Sequence, residues 1–162
     1  MAIRVFVTGG TFDKEYDEIS GTLNFRDSHL REMLDLGRCR VDVKLRTLMM
    51  VDSMEMSDDD REMIAANCRK VPEDRIVITH GTDTMVETAR VLAGSVENKT
   101  IVLTGAMIPI AFGSSDGLFN LGGALTAVQA LPVGVYITMN GRIFDWDDVR
   151  KNRATGVFEP LD

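Results

Sequence analysis

The chain has 162 residues, 44% of them hydrophobic and 27% charged, which is the composition of an ordinary globular domain with a sizeable core. Its formal net charge of −7 repels nucleic-acid phosphates and anionic membrane surfaces, so we expect no nucleic acid and no membrane among its partners. The two cysteines, Cys39 and Cys68, lack C-x-x-C spacing, and no stretch resembles a secretion signal or a membrane span, which together favour a cytoplasmic protein with reduced thiols.

Strand and helix patterns alternate along most of the chain. Short apolar runs rich in β-branched residues predict five strands, at residues 3–8, 41–48, 75–79, 100–104 and 133–138. Apolar residues at helical spacing predict four helices between them, at residues 28–36, 57–71, 84–93 and 118–128. The second helix is predicted to begin at Ser57, because the three aspartates that follow it favour the first turn of a helix.

The order of these elements predicts the fold class. Strands that alternate with helices give a mainly parallel sheet with right-handed crossovers and helices on both faces, a three-layer α/β architecture. We expect a single domain over residues 1–162, since no linker or repeat interrupts the pattern. Residues 12–27 are polar and lack helical period, so they form either a hairpin or a mobile loop. The polar tail from Ile143 onward contains no further complete unit.

Small and polar residues follow every predicted strand. Ligands of parallel sheets bind outside the carboxyl ends of the strands, so we expect these loops to share one rim. The loops carry Gly9-Gly10-Thr11, Asp52-Ser53, Gly81-Thr82-Asp83, Gly105-Ala106-Met107 and Asn140-Gly141. An isolated Gly-Thr pair is most often part of an ordinary turn. Two such turns after two strands predict that Thr11 faces the Thr82–Asp83 pair across a single cleft.

Other chemical motifs are absent or lie in the wrong context. Residues 113–117 match the G-x-S-x-G pattern of hydrolases, but no strand directly precedes them and no histidine follows. The chain has no P-loop and no complete dinucleotide fingerprint, and two histidines offer few zinc ligands, so we predict no cofactor and no metal. We interpret His80, at the end of the third strand, as a hydrogen-bonded structural residue.

A threonine nucleophile needs a base to take its proton. With no suitable histidine, that base would be a lysine, a tyrosine or a carboxylate. Lys151 and Tyr16 are the candidates, with Asp83 orienting the lysine, although the pattern alone places both candidates on the surface.

Together, these residues resemble the bacterial-type L-asparaginases, specifically their large N-terminal domain. The shared motifs, in matching order and spacing, are Thr8-Gly9-Gly10-Thr11, Asp52-Ser53-Met54 and residues 78–85, 103–107, 116–121 and 148–151. The Thr-Gly-Gly-Thr and His-Gly-Thr-Asp-Thr-Met motifs are highly specific in combination. The resemblance implies an enzyme that hydrolyses L-asparagine to L-aspartate and ammonia without a cofactor.

The resemblance also implies a role for each matching residue. Thr11 resembles the nucleophile, and Tyr16 the tyrosine of a mobile lid. Thr82, Asp83 and Lys151 resemble the second catalytic group, and Asp83 also the carboxylate that meets the substrate ammonium. The implied substrate-binding positions are Gly10, Asp52, Ser53, Gly81 and Ala106, with Ser53 holding the α-carboxylate. The implied chemistry is attack on the side-chain amide, an oxyanion stabilised by N–H donors, and hydrolysis of an acyl-enzyme.

The sequence departs from the family pattern in two places. Tyr16 lies five residues after Thr11, a shorter interval than is usual for the lid tyrosine. The chain also stops where the smaller C-terminal domain of the family would begin, so we expect a compact single-domain form with a more open site and weaker substrate binding. A homodimer is the smallest assembly that the resemblance implies.

Two other functions are compatible with the sequence. The first is a glutaminase, or an amidase subunit that supplies ammonia to a transferase. The second, from a different class, is a non-catalytic module that binds an amino acid. The presence of Thr11, Thr82, Asp83 and Lys151 argues against the second, because a binding module needs no lysine–threonine pair.

Overall fold

A computed structural model describes all residues, 1–162. Ten strands are present: β1 (Ala2–Gly9), β2 (Lys14–Asp17), β3 (Thr22–Phe25), β4 (Asp42–Val51), β5 (Arg75–Thr79), β6 (Thr100–Thr104), β7 (Gly134–Met139), β8 (Arg142–Asp145), β9 (Arg150–Asn152) and β10 (Val157–Glu159). The helices are α1 (Leu30–Leu36), α2 (Asp58–Lys70), α3 (Met85–Ser95) and α4 (Gly117–Ala130). None of these helices combines the length and the apolar character that crossing a membrane requires.

The central sheet has six strands in the order β4-β1-β5-β6-β7-β8, and its first five strands are parallel. All five predicted strands are present, and the predicted α/β class is confirmed. The chain moves outward from β1 to β4 on one side, then returns to β5 on the other side. The loops after β1 and β5 therefore diverge at a topological switch point, which is where ligands bind in this class of sheet.

The core consists of two apolar layers, one on each face of the sheet. Along β1, Phe6 belongs to the cluster beneath α2 and α3, whereas Val5 and Val7 belong to the cluster beneath α1 and α4. This division follows from the pleat, because successive side chains of a strand point to opposite faces. Burial of each large apolar side chain contributes about 1.5–3 kcal/mol. The expected three layers are present.

The start of α2 follows from its sequence. The Ser57 hydroxyl accepts a hydrogen bond from the Asp60 N–H, while the Asp60 carboxylate accepts one from the Ser57 N–H. This reciprocal capping box satisfies two donors that the first turn of a helix leaves free. The predicted beginning of the helix at Ser57 is confirmed to within one residue.

The polar segments contain more structure than the sequence pattern indicated. Residues 12–27 form the hairpin β2–β3, which was one of the two alternatives. The tail, interpreted as polar and without a further unit, adds the antiparallel strand β8 and the hairpin β9–β10. Its apolar residues Phe144, Val149 and Phe158 are buried in the core. No further strand–helix unit is present, but the sequence did not indicate these short strands, because single apolar residues are dispersed among charges there and no periodic run marks them.

Candidate active site

The loops after β1, β4 and β5 meet backbone to backbone at the switch point. A Cβ atom on Gly10 would lie 2.4 Å from the Gly81 nitrogen, and Gly10 has a positive φ of 83°. A Cβ atom on Gly81 would lie 2.5 Å from the Ser53 side chain. Only glycine allows such close approach, so the Gly-Thr turns are in direct contact at one cleft. The predicted meeting of these loops is therefore present, with Ser53 on the third side.

A partly buried polar cluster at this cleft joins β9 to the loop after β5. Lys151 Nζ donates to Thr82 Oγ1 at 2.7 Å and to Asp83 Oδ1 at 2.9 Å. Thr82 is buried, and only 12% of the Lys151 side chain is exposed. Lys151 is therefore not the surface group that its pattern indicated. Its hairpin folds back over the cleft because Phe158, opposite Lys151 in the β9–β10 register, is buried in the core.

The loop after β6 forms the next part of the rim. A Cβ atom on Gly105 would lie 2.4 Å from the His80 carbonyl and 3.2 Å from the Thr82 methyl carbon. Ala106 is buried, so it fills space beside this turn. The amide of Asn120 donates to the Gly105 carbonyl at 2.9 Å, and its oxygen accepts from the Asn140 N–H at 3.1 Å. Asn120 thus ties the β6 loop to the β7 loop.

The hairpin β2–β3 forms the opposite side of the cleft. Thr11 opens a short 3-10 turn, and Asp13 in that turn is buried and accepts from the His29 N–H at 2.8 Å. Burial raises the pKa of Asp13, although this hydrogen bond acts in the other direction. Tyr16, on β2, is 54% exposed, and its hydroxyl forms no hydrogen bond with another residue of the chain.

An ion pair ties this hairpin to the loop after β4. Lys14 Nζ donates to Asp52, and this hydrogen bond lowers the pKa of the Asp52 carboxyl. The other Asp52 oxygen accepts from the Met54 N–H at 3.0 Å. Asp52 therefore orients the loop that carries Ser53 rather than presenting a free carboxylate to a ligand.

His80 lies beneath the cleft and is fully buried. Its Nδ1 is 2.8 Å from the Gly81 carbonyl oxygen, and its Nε2 is 2.7 Å from Thr88 Oγ1. Burial lowers the pKa of His80 to about 4, with a smaller contribution from the positive charge of Arg61. Both ring nitrogens are used inside the protein, as expected for a structural histidine.

Three polar residues near the site were missed in the sequence. Arg153 donates to the Asp83 carbonyl at 3.3 Å, Lys14 binds Asp52, and Asn120 links two rim loops. Arg153 follows Lys151 at a spacing of two on the last hairpin, a signal that becomes visible only when that hairpin is recognised. No three His, Cys, Asp or Glu side chains are grouped as a metal site would require.

The switch-point cleft does not coincide with the largest groove of the molecule. The largest groove of the molecule, of about 620 Å³, lies instead along α4, β7 and β8, and none of the predicted site residues lines it. Reactive side chains and close-packed glycines converge at the switch-point cleft, which makes it the candidate site. The apolar lining of the groove includes no nucleophile paired with a base.

A buried threonine hydroxyl paired with lysine and aspartate, at the switch point of a parallel sheet, defines an α/β domain with a candidate acyl-transfer site. The family model described as "Asparaginase, N-terminal" matches residues 2–158. The chain therefore belongs to the asparaginase family, and the resemblance noted in the sequence is confirmed.

Similar proteins support this assignment and show its extent. L-asparaginase 1 of Escherichia coli is 33% identical over 96% of this chain and 48% of its own length. A component of the glutamyl-tRNA(Gln) amidotransferase of Methanococcus vannielii is 33% identical over 96% of this chain and 37% of its own length. The solved thermostable L-asparaginase from Thermococcus kodakarensis is 30% identical and superposes with a TM-score of 0.87 over 99% of this chain and 51% of its own. The chain spans about half the length of that asparaginase.

Proposed function

We propose that this chain is an amidohydrolase that converts L-asparagine to L-aspartate and ammonia. The observation that carries the proposal is the triad of Lys151, Thr82 and Asp83, with the lysine nitrogen 2.7 Å from the threonine oxygen. Such a pair is of little use to a protein that only binds an amino acid, but it can move a proton during attack by a hydroxyl. Membership of the asparaginase family gives the reaction its class.

The proposed reaction begins with attack by Thr11 on the side-chain amide carbon. A C–O bond forms as the carbonyl electrons move to oxygen, and backbone N–H groups stabilise the resulting oxyanion. Those of Thr82 and Asp83 are suited to this role, because neither donates to an acceptor in the protein. Collapse of the intermediate then breaks the C–N bond, and water hydrolyses the ester to free Thr11 and L-aspartate.

The leaving nitrogen must gain a proton to depart as ammonia. In the resting geometry the Lys151 ammonium donates to Thr82 Oγ1, so the threonine proton is free to point elsewhere. We propose that Thr82 passes its proton toward the leaving group and is reprotonated by Lys151. The proton lost by Thr11 then restores the ammonium, so the protons balance over the cycle. Asp83 stabilises the lysine charge and meets the substrate ammonium.

The remaining roles concern binding. Ser53 is assigned to the substrate α-carboxylate, with Gly10, Gly81 and Ala106 lining the substrate. In this proposal Asp52 supports Ser53 indirectly, since its carboxylate is already engaged by Lys14 and by the Met54 N–H. Tyr16 closes over the substrate from the hairpin.

Ammonia release from L-asparagine, L-glutamine and D-asparagine tests the proposal, with Thr11→Ala measured beside the unchanged chain. We expect release from L-asparagine that disappears in the variant. Turnover of L-asparagine that survives Thr11→Ala would refute the assigned nucleophile. Absence of release from every amide, in protein that is folded by circular dichroism, would refute the proposed activity and favour a binding module.

A second candidate is an amidase subunit that supplies ammonia to a transferase. The specific observation in its favour is the similarity to an amidotransferase component over 96% of this chain. Release of ammonia from L-glutamine in preference to L-asparagine, or only in the presence of a partner protein, would favour this candidate.

We also propose that the protein is cytoplasmic and forms at least a homodimer. Free thiols fit a reducing compartment, and burial raises the pKa of Cys68 to about 12, which makes it a poor site for a disulfide. Light scattering should give a mass of at least twice 17.9 kDa. Monomers throughout, or recovery of the native protein from a periplasmic fraction, would contradict these proposals.

A further inference from the structure

A buried chain of hydrogen bonds runs behind the cleft from Arg61 to the Gly81 carbonyl. Arg61 Nε donates to Thr88 Oγ1 at 3.2 Å, Thr88 Oγ1 lies 2.7 Å from His80 Nε2, and His80 Nδ1 lies 2.8 Å from the carbonyl oxygen. Thr88 and His80 are 0% exposed and Arg61 is 7% exposed. None of these three side chains has a part in the proposed reaction, so their arrangement needs a different explanation.

The position of every proton in this chain follows from its neighbours. A carbonyl oxygen only accepts, so His80 Nδ1 must carry the ring proton. The ring is neutral at pH 7, because burial holds its pKa near 4, and His80 Nε2 is therefore an acceptor. Arg61 only donates, so Thr88 Oγ1 accepts from it. The Thr88 proton goes to His80 Nε2 at 2.7 Å rather than to Met56 Sδ, a weaker acceptor at 3.7 Å. Each group therefore donates a hydrogen bond to the next one, from the Arg61 guanidinium to the Gly81 carbonyl.

The last hydrogen bond fixes the orientation of a peptide that belongs to the cleft. In a planar trans peptide, the Gly81 carbonyl and the Thr82 N–H point in opposite directions. The carbonyl faces the buried imidazole, so the Thr82 N–H points away from it, and it donates to no acceptor in the protein. The same residue presents its hydroxyl to Lys151. The orientation of this peptide therefore decides where both groups of Thr82 lie.

Arg61 anchors the far end of the chain. Its Nη1 donates to the Met56 carbonyl at 3.1 Å, and its Nη2 lies 3.5 Å from the Glu87 carboxylate on α3. The charge is thus partly balanced and the guanidinium is held between α2 and α3. A fixed donor at this place keeps the Thr88 hydroxyl from rotating, and so keeps its proton on the side of His80.

We propose that Arg61, Thr88 and His80 are positioning residues that lock the Gly81–Thr82 peptide for the reaction. The inference rests on the proposed function, because it assigns Thr82 a role in proton transfer. It predicts a specific kinetic signature, since a displaced Thr82 slows the chemical step without altering the substrate contacts assigned to Ser53 and Asp83.

The kinetic test compares Thr88→Val with Thr88→Ser in the full chain. Valine keeps the shape but removes the hydroxyl, whereas serine keeps the hydroxyl. We expect kcat for L-asparagine to fall roughly tenfold in Thr88→Val, the effect of one lost hydrogen bond, with KM unchanged. Thr88→Ser should retain most of the activity, and Arg61→Met should behave like Thr88→Val. An unchanged kcat in folded Thr88→Val would overturn the proposal.

The second test detects the hydrogen bonds from Arg61 to Gly81 by NMR and does not depend on activity. Long-range ¹H–¹⁵N spectra report which ring nitrogen carries the proton, and with two histidines in the chain, His29→Gln assigns the signals. We expect the proton on Nδ1 of His80, and an Nε2 signal that moves toward that of a free imidazole nitrogen in Thr88→Val but not in Thr88→Ser. The backbone amide signal of Thr82 should move in the same variant.

The two tests separate the proposals. A ring proton on Nε2 in the unchanged chain, or a Thr82 amide signal that is indifferent to Thr88→Val, would overturn the inference. If the unchanged chain releases no ammonia, the proposed function fails, and the Thr82 amide signal still decides whether the peptide is locked.

Discussion

The two sides of the cleft are built in different ways. On the β5 side, Thr82 is 5% exposed, is held by Lys151, and has a buried hydrogen-bonded layer beneath it. On the hairpin side, Tyr16 is 54% exposed and is held in place by its neighbours on β2 rather than by its own contacts. The side that would transfer protons is buried and hydrogen-bonded, whereas the side that would cover the substrate exposes its tyrosine. This division suits a site that must open for substrate and still present fixed groups to the transition state.

The attachment of the hairpin supports this difference. Lys14 and Tyr16 are two residues apart on β2 and so point to the same face, while Glu15 points to the other. Lys14 binds Asp52 across the cleft, and Glu15 lies 2.9 Å from His29 at the start of α1. A partly exposed ion pair such as Lys14–Asp52 contributes about 0–1 kcal/mol, so it guides the hairpin without fixing it.

The largest effect is expected on the β5 side of the cleft. Lys151→Met should reduce kcat for L-asparagine about 1,000-fold, because proton transfer by a positioned side chain contributes on the order of 100-fold to 10,000-fold. Lys151→Arg should not restore activity, since a guanidinium does not release a proton at neutral pH. The control is Lys70→Met, at an exposed lysine, which should leave kcat unchanged. Near-normal turnover in Lys151→Met would contradict the assignment of proton transfer to the β5 side of the cleft.

The buried chain of hydrogen bonds under Thr82, which includes His80, should make the free energy of unfolding depend on pH. His80 has a folded-state pKa of about 4 against an ordinary value of 6.5, so the unfolded chain binds more protons between these values. The free energy of unfolding should therefore fall as pH is lowered from 6.5 to 4, by about 3 kcal/mol in all. The pKa of Asp52 and of Glu73 is lowered below the usual carboxyl range, so their loss of stabilisation comes at more acidic pH.

Urea titrations across this pH range measure the effect. His80→Asn should flatten the pH dependence, because asparagine can still donate to the Gly81 carbonyl but does not titrate. His29→Asn, at the other histidine, should keep the dependence due to His80. A slope that survives in His80→Asn would assign the acid sensitivity to other groups.

A smaller effect is expected at Asp83, which we assign to substrate binding. Asp83→Asn keeps the size of the side chain but removes the charge that we assign to the substrate ammonium. KM for L-asparagine should rise at least about tenfold, the usual effect of losing a charged hydrogen bond. Asp147→Asn, at an exposed aspartate near the last hairpin, serves as the control and should leave KM unchanged. An unaltered KM in Asp83→Asn would contradict the proposed ammonium contact.

The smallest effect is expected on the hairpin side. Lys14→Met should lower kcat by about three-fold to ten-fold, while the free energy of unfolding changes by less than about 1 kcal/mol. Hydrogen exchange of the β2–β3 amides should become faster in the variant. Lys44→Met removes another ion pair, to Asp42, at the opposite end of the sheet, and should change neither kcat nor the exchange rates. A large loss of stability in Lys14→Met would show that the hairpin is part of the rigid side.

The fold could be predicted because each strand and helix of the central sheet layers has a pattern that is visible in a short stretch of sequence. Each strand of the parallel sheet is a short apolar run, and the small residues at the strand ends mark the rim. The hairpin β9–β10 could not be predicted in this way. Its position depends on Phe158, whose burial is a tertiary contact and leaves no periodic signal in a charged segment. Lys151 was consequently interpreted from pattern alone as a surface group.

Some features of the candidate site could likewise be predicted from the sequence, and others could not. The order of strands predicts that Thr11 and the Thr82–Asp83 pair lie at one cleft, since parallel strands bring their carboxyl ends to one edge. The close approach of Gly10 and Gly81 shows that the two loops meet. The link from Arg61 to His80 was missed, because it joins α2, α3 and the residue after β5 through side chains whose spacing in sequence has no regularity. The ion pair between Lys14 and Asp52 was missed for the same reason.

The central claim is that Thr82, fixed by Lys151, takes part in the hydrolysis of L-asparagine. The most direct measurement is the rate of ammonia release from L-asparagine by Thr82→Val, compared with the unchanged chain and with Thr126→Val at an exposed site on α4. We predict that release falls about 1,000-fold in Thr82→Val and not in Thr126→Val, in folded protein. Equal rates in all three proteins would contradict it.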